Sequence, residues 1–176
     1  HAKGVSAERL VFTTLHAGGK FDNSAYKTSG GLHGVGSSVV NALSTYLDIK
    51  ISRDGYVHHD HYERGIPTIE LEEGLLPKLG RTKATGTCIN FLPDPEIFET
   101  TIYEYDVLEK RLREQAFLNA GLKITLRDER DDEPVEEVMH YEGGIRQFVE
   151  HLNRNKTPLH EEAIYLAGAK GDSTAE

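Results

Sequence analysis

"LDIKISRDGYVHHDHYE", residues 47–63, has an arm that alternates apolar and polar positions, then the pair Asp54-Gly55, then a second arm rich in aromatic and β-branched residues. A period of two reads as a half-buried strand, and Asp-Gly between two such runs is the type I′ signal of a two-residue hairpin. The stretch predicts antiparallel strands at 47–53 and 56–63. A hairpin here is incompatible with the strand-helix alternation of a doubly wound sheet.

Outward from that hairpin the period keeps changing. "TGTCINFLP" (85–93) reads as a third strand stopped by Pro93, and "LKITLRDE" (122–129) with "VEEVMHYE" (135–142) as a second hairpin. Between its arms lies an acidic run, "DERDDEPVEE" (128–137), opposed only by Arg130, which reads as a solvated turn. Helical spacing is expected in "SAERLVFTTLH" (6–16), with Ser6 as N-cap and apolar residues at 7, 10, 11 and 15. It recurs in "VGSSVVNALSTYL" (35–47), where Val35, Val39, Ala42, Leu43 and Leu47 share one face. In "EYDVLEKRLREQAFLNAG" (104–121) the core positions are Leu108, Leu112, Ala116 and Leu118, with Gly121 as C-terminal cap. "GGIRQFVEHLN" (143–153) gives a last helix, "EEGLLPKLGRTKA" (72–84) reads as a loop, and "EAIYLAGAK" (162–170) as the opening strand of a further unit. No repeat of solenoid period is present. The sum predicts an α+β protein: a two-layer α/β sandwich whose mixed, largely antiparallel sheet is covered by helices on one face.

Composition narrows the class. The chain has 176 residues, 38% hydrophobic and 28% charged, which describes a globular protein with a real core and no membrane-spanning run. "HAKGVSAERL" lacks the order of a secretory signal. The lone Cys88 rules out an internal disulfide framework, so a reducing, cytoplasmic setting is expected. A net charge of −9 argues against broad nonspecific contact with nucleic acid, since backbone affinity needs clustered Lys and Arg.

One feature is local. Of 17 glycines, six (18, 19, 30, 31, 34 and 36) fall within nineteen residues, inside or beside a stretch, 17–34, that has no sustained period. Loops of that length in compact domains are usually functional or disordered. Bare glycine backbone permits tight turns, and consecutive N–H groups entering a helix N-terminus present donors to an anion. Lys20, Lys27 and Tyr26 accompany the glycines. "GGLHGVG" (30–36) lacks the Gly-Lys-Ser/Thr ending of a P-loop and is not preceded by a strand, so both familiar nucleotide fingerprints fail. A glycine-rich lid over a triphosphate remains.

These residues carry a resemblance. "TLHAGGKFDNSAYKTSGGLHGVGSSVVNALS" (14–44), "TGT" (85–87) and "HYEGGI" (140–145) closely resemble the ATPase domain of the type IIA DNA topoisomerases, in the GHKL superfamily, from residue 4 to about residue 168. "HYEGGI" and "LNRNKTP" resemble the gyrase branch more than the topoisomerase IV branch. The resemblance implies the Bergerat-type fold and an ATP and Mg²⁺ site. Lys20 would reach the terminal phosphates and Tyr26 would hydrogen-bond the adenine. Gly30 and Gly31, with the backbone of Leu32, His33, Gly34, Val35 and Gly36, would wrap the β- and γ-phosphates. Thr87 would sit at the adenine edge, Ile89 would line the pocket floor, and Arg53 would stand at the mouth, where aminocoumarin inhibitors bind. Implied partners are ATP, DNA, a second copy of the same polypeptide and the DNA-cleaving, gyrase A-type subunit, with no membrane.

The departures matter too. The family's base glutamate, its metal-ligand asparagine and its adenine-binding aspartate precede the region where this chain starts, so no catalytic residue and no metal ligand is assigned. Glu8 and Asp22 are the acids near the lid, and neither lies in the right motif. Residues 1–157 are expected to be the C-terminal part of the ATPase domain and 158–176 the start of the transducer domain, and the chain alone is expected to hydrolyse little ATP. Other readings stay open: another GHKL enzyme, a scaffold or inhibitor-binding module, and a metal site at His33, His58, His59 and His61. For the last, His59 and His61 share a strand face, but a metal site is not expected without a nearby carboxylate or thiol pair.

Overall fold

A computed structural model describes residues 5–17, 34–160, 162–166, 168–170 and 173–175. It divides into two compact units, His1–Thr101 and Ile102–Glu176.

The first unit is built on the hairpin read from the sequence. β1 (Ser44–Arg53) and β2 (Tyr56–Glu63) pair antiparallel from Tyr46↔Glu63 to Arg53↔Tyr56. Asp54 and Gly55 take φ of +53° and +81°, the left-handed pair that a type I′ turn requires. The device repeats. Arg64-Gly65 (φ +49° and +82°) turns the chain into β3 (Ile66–Pro67), and Glu73-Gly74 (φ +51° and +78°) folds residues 72 to 75 into a bridge. β4 (Lys78–Arg81) pairs with β2, which corrects the expectation of a plain loop over 72–84. Its four residues, Lys-Leu-Gly-Arg, are too few and too polar to show an alternation. β5 (Gly86–Pro93) completes the antiparallel order β3-β2-β1-β5, with β4 also on β2.

Two short helices lie with this sheet: α1 (Ala7–Thr13) and α2 (Gly36–Ala42). The helix expected over 35–47 is therefore shorter, because Ser44 to Leu47 join β1 and pair with β5. Weak helix formers (Val, Ser, Thr) leave that choice to tertiary pairing. The buried face of α2 is also a correction. Ser38 and Asn41 are buried, whereas Val39 and Val40 are exposed. Asn41 Nδ2 donates to Phe12 O at 3.0 Å, and the Ser38 and Ser44 hydroxyls donate to Val35 O and Val40 O, so these polar side chains satisfy backbone that the packing encloses. Phe12 and Ile51 pack against the core of Leu47, Ile49 and Tyr62.

The second unit places α3 (Tyr105–Leu118) and α4 (Gly144–Asn153) with the hairpin β6 (Lys123–Asp128) and β7 (Val135–His140). Ala116 and Phe117 are the buried positions of α3, and Leu118 is 52% exposed, contrary to the expected stripe. Phe117 wins the core place because Tyr141 and Phe148 offer it rings, stacked at centroid distances of 3.6 Å and 5.1 Å. Gly121 lies two residues past the C-cap, Asn119, in the left-handed region (φ +79°), and its N–H reaches Tyr141 O at 3.1 Å. Gly144 opens α4 at φ +56°, where a Cβ would come within 3.3 Å of Ala120 Cβ. The strand expected over 162–170 shrinks to β8 (Gly168–Lys170), paired with β9 (Ser173–Ala175).

Each unit, taken by itself, sets helices with an antiparallel sheet, the α+β arrangement expected.

Candidate functional site

Register decides which side chains share a face of the first sheet. Directly paired residues point the same way, so Leu47, Ile49, Ile51 and Arg53 of β1 share a face with Tyr62, Asp60, His58 and Tyr56 of β2, and with Phe91, Ile89 and Thr87 of β5. The face thus gathers three of the site residues read from the sequence, Arg53, Thr87 and Ile89. Over β2 it is closed by α1: Phe12 packs on Tyr62, and Arg9 grips Asp60. Over β5 the described residues leave it open, with Ile89 46% and Phe91 40% exposed. An apolar floor flanked by a threonine hydroxyl and an exposed guanidinium, which lies 3.5 Å from the Asp54 carboxylate, suits a flat ring with a polar edge.

The chain enters α2 through the last three residues of "GGLHGVG". Gly34 takes φ +61°, a value that costs a side chain roughly 1 kcal/mol or more. Val35 is the N-cap and offers no side-chain acceptor, so the first amides of the helix have no side-chain cap. Gly36 is the first helical residue, and glycine has a lower helix propensity than alanine. A Cβ built there meets nothing within 4 Å. Packing within the described residues therefore does not require glycine at this position, and the open space beside its backbone suits a group brought close to the amides. Lys20, Tyr26, Gly30, Gly31, Leu32 and His33 lie outside the described residues, as does Asp22.

A buried polar cluster anchors α1. Asp60, with no exposed surface, accepts Arg9 Nε at 3.0 Å through Oδ2 and Arg9 Nη2 at 2.6 Å through Oδ1, and its Oδ1 also takes the His61 amide at 3.0 Å. Arg9 Nη2 further donates to Ile69 O at 2.7 Å. The Tyr62 hydroxyl lies 2.8 Å from both Asp60 Oδ2 and Glu8 Oε1. Burial pushes the Glu8 carboxyl up to about 7; the Tyr62 hydrogen bond opposes this, and the nearby Asp60 charge adds to it. Burial also raises the Tyr62 phenol, with the charge of Glu8 next in effect. The sequence did not single out this cluster, although strand parity contains the signal: an acid, Asp60, on the face of Leu47 and Ile49. Its partner is 51 residues away in the chain, beyond any local pattern.

On the opposite face, Asp48 receives His59 Nε2 at 2.7 Å and His61 Nδ1 at 3.2 Å. A carboxylate therefore does stand beside these histidines, and the sequence reading had missed it. Partial burial works to raise Asp48, but the two histidine hydrogen bonds outweigh it and hold the carboxyl below its ordinary range. Among the described residues no group of three or more His, Cys, Asp or Glu could hold a metal ion. Cys88 is exposed. No helix among them is long and apolar enough to cross a membrane.

No family model matches the chain. Among curated proteins it is 52% identical over 174 residues to the DNA gyrase B protein of Staphylococcus epidermidis, a match that takes in 98% of this chain and 26% of that protein. It is 53% identical over 175 residues to the DNA gyrase B protein of Staphylococcus aureus, again over 98% of this chain and 26% of the relative. The chain spans about a quarter of the length of the curated relatives it matches. The resemblance carried by the glycine-rich stretch is thereby borne out, and on the gyrase side of the family.

Proposed function

We propose that this chain is the nucleotide-binding region of a gyrase B-type topoisomerase polypeptide, which binds ATP with Mg²⁺ and couples its hydrolysis to the passage of one DNA duplex through another. The observation that carries the reading is the open half of the first sheet face, where Arg53, Thr87 and Ile89 stand together. The uncapped amides and bare backbone at Gly36 add to it.

In this reading Ile89 supports the adenine ring, Thr87 hydrogen-bonds its edge, and Arg53 guards the mouth where inhibitors enter. The amides from Gly30 to Gly36 surround the β- and γ-phosphates, Tyr26 adds an adenine contact and Lys20 a cation. Bound Mg²⁺ would supply charge neutralisation at the phosphates. Residues 1–157 belong to the ATPase domain and 158–176 open the transducer domain. The working partners are DNA, a second copy of the same polypeptide and a gyrase A-type subunit, in the cytoplasm.

Hydrolysis tests the reading. In the intact protein, Lys20→Ala is expected to lower steady-state ATP turnover by about 10²-fold, the usual effect of removing one group that stabilises charge in phosphoryl transfer. Turnover within a factor of about two of the parent would contradict the assignment of Lys20.

A further inference from the structure

We infer that Glu8, Tyr62 and Asp60 form a proton-operated latch that docks α1 on the sheet when Glu8 carries a proton and loosens it when Glu8 ionises. The inference is independent of the nucleotide reading. It begins with a proton count. The Tyr62 oxygen is 2.8 Å from a carboxylate oxygen on either side, and a phenol has a single proton to donate. Asp60 is already the anion of the set, because Arg9 holds both its oxygens and the His61 amide adds a third donor. Tyr62 therefore donates to Asp60, and the contact with Glu8 is satisfied when a protonated Glu8 donates to the Tyr62 oxygen. The other Glu8 oxygen is buried with no hydrogen-bond partner among the described residues, an arrangement that a neutral carboxyl tolerates and a carboxylate does not.

Among the described residues the groups that face Glu8 are Arg9 on its own helix and Asp60 and Tyr62 on β2. α2, which also packs on α1, brings no titratable side chain: its sequence is GSSVVNA. When Glu8 loses its proton, two carboxylates compete for one phenol proton, and Arg9 is already committed to Asp60. α1 is sensitive to that change. It has seven residues, no side-chain cap and no fully buried residue, so its order rests on a few tertiary contacts, of which Glu8–Tyr62 is one. In sequence it leads directly into the glycine-rich stretch.

The sign follows from the raised carboxyl. The docked form holds the Glu8 proton up to about 7, and the undocked form releases it near the ordinary 4.5. The latch contribution is complete below 4.5, falls away as pH rises between those values, and is gone above 7. The opening constant of α1 is then expected to rise by about tenfold between about pH 6 and pH 8.

Hydrogen exchange of the intact protein, read by mass spectrometry on peptides covering α1 and corrected for intrinsic rates, measures that constant. The parent should show the tenfold rise, and Glu8→Gln, whose amide donates at every pH, should be flat. Peptides of α3, in the other unit, should be flat in both and control for global effects. Tyr62→Phe, which keeps the ring but removes the hydroxyl, leaves the burial and the Asp60 charge that raise Glu8, so its rise should persist from an opening constant already higher at pH 6. A pH-independent parent would overturn the latch, and so would a Glu8→Gln profile that rises like the parent's. If Glu8→Gln does not fold, the parent's profile and that of Tyr62→Phe decide the matter: a flat parent, or a Tyr62→Phe opening constant no higher than the parent's at pH 6, overturns the latch.

Discussion

Asp60→Ala is expected to destabilise the first unit by about 3–5 kcal/mol, the loss seen when one member of a buried ion pair is removed and the other stays behind. Asp60 has no exposed surface, and Arg9, its partner at 2.6 Å, is 15% exposed at the side chain. Without the carboxylate, Arg9 keeps one acceptor, Ile69 O, and the Tyr62 hydroxyl and His61 amide each lose a partner. A part-buried amide without its acceptor and a desolvated cation are costly together, because a hydrogen bond left unmade away from water carries a desolvation penalty, and the Tyr62 hydroxyl keeps only Glu8 Oε1. Urea unfolding followed by circular dichroism checks this: the midpoint should fall at unchanged slope. A loss under about 1 kcal/mol would mean that Arg9 finds water and that the cluster does not anchor α1.

Phe117→Ala should weaken the second unit by a similar amount, about 3–5 kcal/mol, through lost burial and the cavity left behind. The ring is 1% exposed and sits between Tyr141, Phe148 and His151, with centroids at 3.6, 5.1 and 5.2 Å. The three surrounding rings cannot close over that gap without leaving their present geometry, so little of the loss is recovered. The neighbouring substitution gives the contrast: Leu118→Ala, at a residue 52% exposed, should cost no more than about 1 kcal/mol. The helical stripe read from the sequence predicts the reverse order for the pair, and thermal unfolding of the two variants distinguishes them.

That stripe illustrates what a sequence holds and what it lacks. The hairpin at Asp54-Gly55 was legible because turn chemistry and the period of two agree within a few residues. The second hairpin was legible for the same reason of locality, and so was α4. The face of α2 was not, since its buried side chains are serine and asparagine, chosen by the enclosed backbone at Phe12 and Gly65 and not by hydropathy. β4 escaped because its partner, β2, supplies the pairing that its own residues do not announce. For the site, strand parity in "LDIKISR" and "TGTCINFLP" already placed Arg53, Thr87 and Ile89 at alternate positions, and the register with β5 joined them on one face. The Glu8–Tyr62–Asp60–Arg9 cluster depends on contacts across more than 50 residues, and no periodicity reports these.

The central claim is that the bare backbone of the glycine-rich stretch exists to approach phosphate, and one measurement addresses it directly: calorimetric titration of the intact protein and of Gly36→Ala with a non-hydrolysable ATP analogue and Mg²⁺, alongside the thermal midpoint of each. Among the described residues the new Cβ meets nothing within 4 Å, so the thermal midpoint should be unchanged or slightly raised as the helix gains alanine. Affinity should nevertheless fall by about tenfold or more, about 1.4 kcal/mol, because the methyl group takes the space a phosphate needs beside the amides. Equal affinity in the two proteins, or no binding by either, would contradict the account.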